Sequence, residues 1–410
     1  MIDDIIRVVD AHNRWRRDQC VNMIASESLM SPMAEKYFLS DFAGRYNEHT
    51  SGDCHYQGTK YSYQIEEMCN DIFRKSFGTK FADCRPISGG VANLIIYSAF
   101  AKPGDSIVAL GIPNGSHVSS TQWGMAGIRG LNSIDMVFNP KEMNIDVEKT
   151  IALINKVGPK VVMFGASMFL FPQPIREIKD QIDSVIKVAY DSAHVFGLVY
   201  NKEFQNPLEE GADFICSSTH KTFQGPQGGI IIGRKDLDEK DWKKIQTAIF
   251  PGTISNHHIH RIPSLAITAL EMDKFGKEYA RQVIKNAQAL GQSLYDLGFN
   301  VLCPEKGFTK SHQVIVNVKE FGGGKTVACA LEDNNMICNK MSLPSDAPQD
   351  ATKNPSGIRL GSQELTRIGM KECDMGQVAV FFEKAVKQKK SVKDDVLEFR
   401  KDFQKIQYCF

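Results

Sequence analysis

The chain has 410 residues, roughly two to three times the usual domain, so two domains with ample length for a buried core are expected. Apolar residues at 42% and charged residues at 24% exclude a wholly disordered or fibrous chain. With 49 Lys+Arg against 48 Asp+Glu, net +1, there is no general basic field for nucleic acid and no acidic tail, so an anionic ligand must be held by local geometry. The N-terminal stretch carries Asp3 and Asp4 where a secretory signal has basic charge, and Arg7 and Asp10 break its apolar run. Residues 1–20 instead predict an amphipathic helical arm, with Ile5, Val8, Val9 and Trp15 near one face, of the kind that commonly packs on a partner subunit. No run of about 18 apolar residues follows, so no bilayer-spanning helix and no membrane partner are expected.

From about residue 80 to 235, continuous apolar runs alternate with helical patterns: DSIVAL (105–110), KVVMFGAS (160–167), VIKVAYDS (185–192), DFICSS (213–218) and GGIIIGR (228–234). Uninterrupted β-branched runs with helices between them predict a mostly parallel sheet buried on both faces, hence an α/β large domain. A long helical pattern over 262–298 comes next. Strand-like stretches at 312–318, 335–340 and 357–361, a glycine turn at 322–324 and a helix near 370–388 then predict a smaller α+β domain. The expected division is an arm over 1–20, a large domain over 21–275 and a C-terminal domain over 276–410, whose charged tail from Lys387 reads as a poorly anchored helix. The ten cysteines show no CxxC pair and no Cys/His zinc spacing, which points to reduced thiols, no metal and a cytoplasmic chain.

The segment SSTHKTFQGPQGG (217–229) follows an apolar strand and sets Lys221 among hydroxyls, glycines and His220. Most lysines are solvated surface residues. This setting is instead one in which a lysine amine forms a Schiff base with an aldehyde cofactor, with hydroxyls such as that of Thr219 available to a phosphate. If that cofactor is pyridoxal 5'-phosphate, its ring nitrogen needs an acid, its ring a face and its phosphate a cradle. Asp191, at the end of VAYDSAH, suits the acid, and Ser88, Gly89 and Gly90, opening an apolar helix, suit the cradle.

These residues carry a resemblance. IASES (24–28), HYQGTKY (55–61), SGGVAN (88–93), DSAH (191–194), STHKTFQGPQGG (218–229), FPG (250–252), NPSGIRLG (354–361) and LTR (365–367) resemble, in order, the serine hydroxymethyltransferase family, whose members are pyridoxal-phosphate enzymes of the aspartate-aminotransferase fold type. FPGTISNHHIH (250–260) is nearer to archaeal members. The resemblance implies that Lys221 is the Schiff-base lysine, Asp191 the ring-nitrogen partner and His117 the stacking histidine. It implies cofactor contacts for His194, Ser167, Thr219 and His220, and the phosphate loop at Ser88 to Gly90. Arg359, with Ser26, would hold the substrate carboxylate. Glu48 and Tyr56 would reach the reacting groups across a homodimer interface, with Gly252 near the partner's phosphate.

The chain also departs from the family. YNEHTSGDC (46–54) keeps the Tyr and Glu of the family segment but lacks its Pro and basic pair, His55 replaces a common tyrosine, and Met341 replaces an asparagine that contacts the one-carbon carrier. The expected reaction is reversible Cα–Cβ cleavage interconverting serine and glycine, with tetrahydrofolate or a methanopterin as cosubstrate. The alternative is a carrier-independent aldolase or transaldolase acting on another aldehyde.

Overall fold

The apolar runs become the centre of a seven-stranded sheet in the computed structural model, which describes residues 1–50, 52–347 and 353–410. The sheet lies in a unit formed by Ser28–Ala280 with Cys409–Phe410. Its strands follow the order Ala82–Asp83, Gly229–Gly233, Phe214–Ser218, Lys187–Asp191, Val161–Gly165, Ser106–Ala109, Asn132–Asp135. Only Gly229–Gly233 runs against the rest; every other neighbouring pair is parallel. Val161, Val162, Val188, Ala189, Phe214 and Ile215 have no exposed surface, which is why their runs are continuous rather than alternating. The edge strand Asn132–Asp135 is polar and half-exposed, so its sequence lacks that signal.

The second unit joins Met1–Glu27 to Arg281–Tyr408. It holds an antiparallel sheet ordered Asn300–Val301, Gln313–Asn317, Gly357–Gly361, Asn339–Met341. The run at 335–340, read as one strand, is two. Met336–Ile337 pairs in parallel with Val21–Asn22, while Asn339–Met341 pairs with Gly357–Gly361. That parallel pair is why residues 21–27, which the sequence division put with the large domain, group with the C-terminal chain. The single helix Arg261–Asp296 contributes to both units. The first helix, Ile2–Asn13, buries none of its residues, and Ile2, Ile5, Val8 and Val9 are all more than half exposed.

The tail corrects its sequence reading as a poorly anchored helix. Arg400, in the helix Lys393–Arg400, is 2% exposed and donates from Nε to the Cys20 carbonyl and from Nη2 to the Arg17 carbonyl, both at 2.7 Å. Arg367 Nη1 donates to the Gln407 and Tyr408 carbonyls. A charge-rich stretch can be tightly held when its cations bond to backbone carbonyls, which charge counting alone does not reveal.

Glu364 in this unit is 5% exposed and accepts from Asn22 Nδ2 at 2.8 Å. Burial, against that hydrogen bond, raises its pKa from 4.5 to about 7. The folded state therefore holds this proton more tightly than the unfolded chain. The stability it contributes is complete below about 4.5 and is lost as pH rises through about 7. Glu364→Gln is expected to leave thermal stability nearly unchanged at pH 4 and to raise it at pH 8, by about 1–3 kcal/mol. Equal shifts at both pH values in melting experiments would contradict this.

Candidate active site

In a parallel sheet, ligands collect beyond the carboxyl ends of the strands. Five such ends carry most of the sequence candidates of the sheet-bearing unit. Ser88–Gly90 follows Ala82–Asp83, His117 follows Ser106–Ala109, and Ser167 follows Val161–Gly165. Asp191 ends its own strand with His194 just beyond, and Thr219–Lys221 follows Phe214–Ser218.

Lys221 is 8% exposed and sits in a closed turn. Thr219 N–H donates to the Gly228 carbonyl at 3.2 Å, Gly225 N–H to the Thr219 carbonyl at 2.8 Å, and Thr219 Oγ1 to the Pro226 carbonyl at 2.7 Å. The next residue, Thr222, donates from Oγ1 to the His194 carbonyl at 2.8 Å, which ties the lysine turn to the segment after Asp191. Gly89 brings the candidate phosphate loop against the same place. A Cβ there would lie 2.9 Å from Ser218 N, and one on Gly229 would lie 2.5 Å from the Ser88 carbonyl oxygen, so only glycine permits both approaches. Ser88 caps the helix Gly89–Phe100 by accepting from Val91 N–H at 3.1 Å.

Asp191 is 8% exposed. Its Oδ2 accepts from Asn93 Nδ2 at 2.7 Å and its Oδ1 from Ala193 N–H at 3.0 Å. Asn93 Nδ2 also donates to Ser119 Oγ at 2.8 Å, and Ser119 Oγ lies 2.7 Å from His117 Nδ1. Because Ser119 N–H also points at His117 Nδ1, at 3.2 Å, that nitrogen is an acceptor and the ring proton sits on Nε2. One chain of hydrogen bonds thus runs from the Asp191 carboxylate to the His117 ring. Burial first, then the Lys221 charge, lowers His220 to about 4, so its imidazole is neutral beside the lysine at neutral pH.

The remaining candidates of this unit lie on its surface. Tyr56 is 45% exposed, its ring 5.4 Å from that of Tyr46, and Gly252 is exposed in the turn after Phe250. Glu48 is half-buried and accepts a hydrogen bond from the Ser255 hydroxyl. Ser51, in the same family segment, lies outside the described residues.

In the other unit, Arg359 is centred on its strand between Ile315 and Asn339, and its Nε donates to Asn339 Oδ1 at 3.2 Å. Burial lowers its pKa to about 10, so it stays cationic at neutral pH. The segment bearing Ser26 is pinned beside that strand: Gly361 N–H donates to the Met23 carbonyl at 2.7 Å, and Gln363 Nε2 donates to the Ile24 and Glu27 carbonyls.

The family model described as serine hydroxymethyltransferase matches residues 1–382. The chain belongs to the serine hydroxymethyltransferase family. A relative of that name from Sulfolobus acidocaldarius is 47% identical across the whole chain and 94% of its own length, and one from Staphylothermus marinus is 45% identical across the whole chain and 93% of its length. Among solved structures, L-threonine transaldolase from Pseudomonas fluorescens matches with a TM-score of 0.91 and 26% identity, covering all of this chain and 93% of its own. The fold is that of the pyridoxal-phosphate enzymes of this family, with a mostly parallel sheet in the α/β unit, as the sequence leads one to expect.

The family's cofactor fits the residues present. Pyridoxal phosphate has an anionic end, and the helix Gly89–Phe100 opens with backbone N–H groups beside a glycine cradle that any Cβ would fill. Ser218 Oγ and His220 Nδ1 are buried without a hydrogen-bond partner on either side of Thr219, as polar atoms that await a ligand are. Among the described residues no cluster of His, Cys, Asp and Glu suits a metal ion, and no helix is long and apolar enough to cross a membrane. The sequence reading missed Asn93, Ser119 and Asn339. Asn93 left a signal, a polar residue one turn into an otherwise apolar helix, and it is fully buried.

Proposed function

We propose that the chain interconverts serine and glycine by reversible cleavage of the Cα–Cβ bond, with pyridoxal phosphate on Lys221 and a one-carbon carrier receiving the carbon. The observation that carries this reading is the buried Lys221 turn tied through Thr222 to the segment after Asp191. When bound, pyridoxal phosphate supplies an aldehyde for the lysine amine and a ring that takes up the electron pair released as the bond breaks. Asp191, fixed in place by the hydrogen bonds from Asn93 Nδ2 and Ala193 N–H, would face the ring nitrogen and keep a proton on it. His117, its ring plane set by Ser119, offers a face for stacking. Arg359, with its Nε held by Asn339, presents its guanidinium to the substrate carboxylate, with Ser26 beside it.

Tyr56 and Glu48 serve the partner's site in a homodimer, and Gly252 approaches the partner's phosphate. Tyr46, Tyr56, Tyr61 and Met68 support this, since each is 45% to 65% exposed and a subunit interface would cover them. A holoenzyme that sediments as a monomer would rule it out. The ten cysteines are free thiols, which supports a reducing compartment, the cytoplasm; targeting of a tagged chain to another compartment would contradict this.

The carrier is where this chain departs from its family. Met341, half-buried at the end of the strand Asn339–Met341, offers a pteridine edge only an apolar thioether. The 46–55 segment lacks the basic pair that could meet a glutamate tail. Serine cleavage with ordinary tetrahydrofolate is therefore expected to be weak, with a modified carrier such as a methanopterin, or an aldehyde used directly, supporting faster turnover. The second reading is favoured by the transaldolase likeness. Turnover of serine, threonine and allo-threonine, each with and without tetrahydrofolate or a methanopterin, separates the readings. Met341→Asn is expected to raise tetrahydrofolate-dependent kcat/KM by about tenfold, the worth of one hydrogen bond. Efficient saturable turnover with tetrahydrofolate, unchanged in Met341→Asn, would show that the pocket has repacked around a working folate site.

A further inference from the structure

Behind the surface segment that carries Glu48 lies a carboxylate with no role in the chemistry above. Glu66, on the helix Lys60–Phe77, is 1% exposed. Its Oε2 accepts from Asn47 Nδ2 at 2.9 Å and its Oε1 from His49 Nε2 at 2.7 Å. The direction of the second bond follows from geometry: Gly52 N–H points at His49 Nδ1 at 3.4 Å, so that nitrogen accepts and Nε2 carries the proton. Asn47 is fully buried and its Oδ1 accepts in turn from Ser62 Oγ at 2.8 Å.

Glu66 also faces the segment that bears Ser255. His257 Nε2 lies 2.8 Å from Glu66 Oε2. Arg85 Nε stands 3.9 Å from Oε1. Burial alone would raise the Glu66 pKa, but the contacts with His257 and His49 outweigh it and hold the group ionised. The carboxylate is a fixed acceptor.

Residues i and i+2 of an extended segment point the same way and the residue between them points the other way. With Asn47 and His49 anchored inward on one carboxylate, Glu48 is turned outward, where it meets the Ser255 hydroxyl. We propose that Glu66 is a positioning residue: by clasping Asn47 and His49 it sets the direction in which the Glu48 carboxylate is presented to the reacting groups. The proposal rests on the reading that Glu48 acts on those groups.

Glutamine at position 66 has nearly the same shape but offers a donor nitrogen at one end. It would oppose either the Asn47 or the His49 donor, and one anchor must release. In the holoenzyme, Glu66→Gln is expected to lower kcat about tenfold, with KM for serine within about twofold and the visible cofactor band unchanged. In a Glu48→Gln background the same substitution should change kcat by less than about twofold, because it acts only through Glu48. An equal loss in both backgrounds, or no loss from Glu66→Gln while Glu48→Gln is impaired, overturns the proposal. If Glu48→Gln alone keeps full turnover, the role given to Glu48 fails instead, and the two failures are distinct. Should Glu66→Gln not fold, Asn47→Ala removes one donor and leaves the carboxylate in place. It should give a smaller loss of kcat that again disappears in the Glu48→Gln background, and a loss that persists there overturns the proposal.

Discussion

Lys221→Ala is expected to yield a folded protein without the borohydride-reducible absorbance of the wild type and with turnover reduced by about 10⁴-fold or more, the scale on which removal of a covalent catalytic group acts. Folding should survive because the turn closes through backbone groups and the Thr219 and Thr222 hydroxyls, none of which belongs to the lysine side chain. The amine has no near substitute. His220, the adjacent nitrogen base, is held at about 4 by burial and by Lys221 itself, and an imidazole cannot form the same link. Borohydride reduction of the wild type followed by peptide mapping should place the pyridoxyl group on Lys221. A label on another lysine would end the assignment.

Arg359→Lys is expected to weaken serine and glycine binding by about 2 kcal/mol, or roughly 30-fold in Kd, while the visible cofactor band stays in place. The arginine stands 6% exposed in the middle of an antiparallel sheet, and the hydrogen bond from its Nε to Asn339 fixes the plane of the guanidinium. A lysine keeps one charge but loses both the planar fork and the contact to Asn339, so a bidentate carboxylate contact becomes a point contact. Titration of the variant with glycine, followed by the change in the visible spectrum, measures the loss. Unchanged affinity would mean that another group holds the carboxylate.

Much of the fold was legible because its signals are local. The five central strands are buried on both faces, so their middles must be apolar, and each appears in the sequence as a short apolar run, with polar residues such as Asp191 and Ser218 only at its ends. The long helix Arg261–Asp296 was visible for a related reason, since its apolar residues recur at the spacing of one buried face. Elements whose shape depends on partners were not. The run at 335–340 splits because its two halves pair with strands more than 300 residues apart in one case and about 20 in the other, and no local pattern encodes which.

The same division holds for the site. By itself the sequence determined the family and the order of its motifs, because glycines that admit close backbone approach and a lysine among hydroxyls are properties of single segments. Only the tertiary structure decided which polar groups meet: that Asn93 reaches both Asp191 and Ser119, that Ser119 sets the His117 tautomer, that Asn339 orients Arg359, and that Glu66 clasps the residues on either side of Glu48. A hydrogen bond needs its atoms within about 3 Å and suitably aligned. Residues 93 and 191 satisfy that condition only because the helix Gly89–Phe100 packs against the strand Lys187–Asp191.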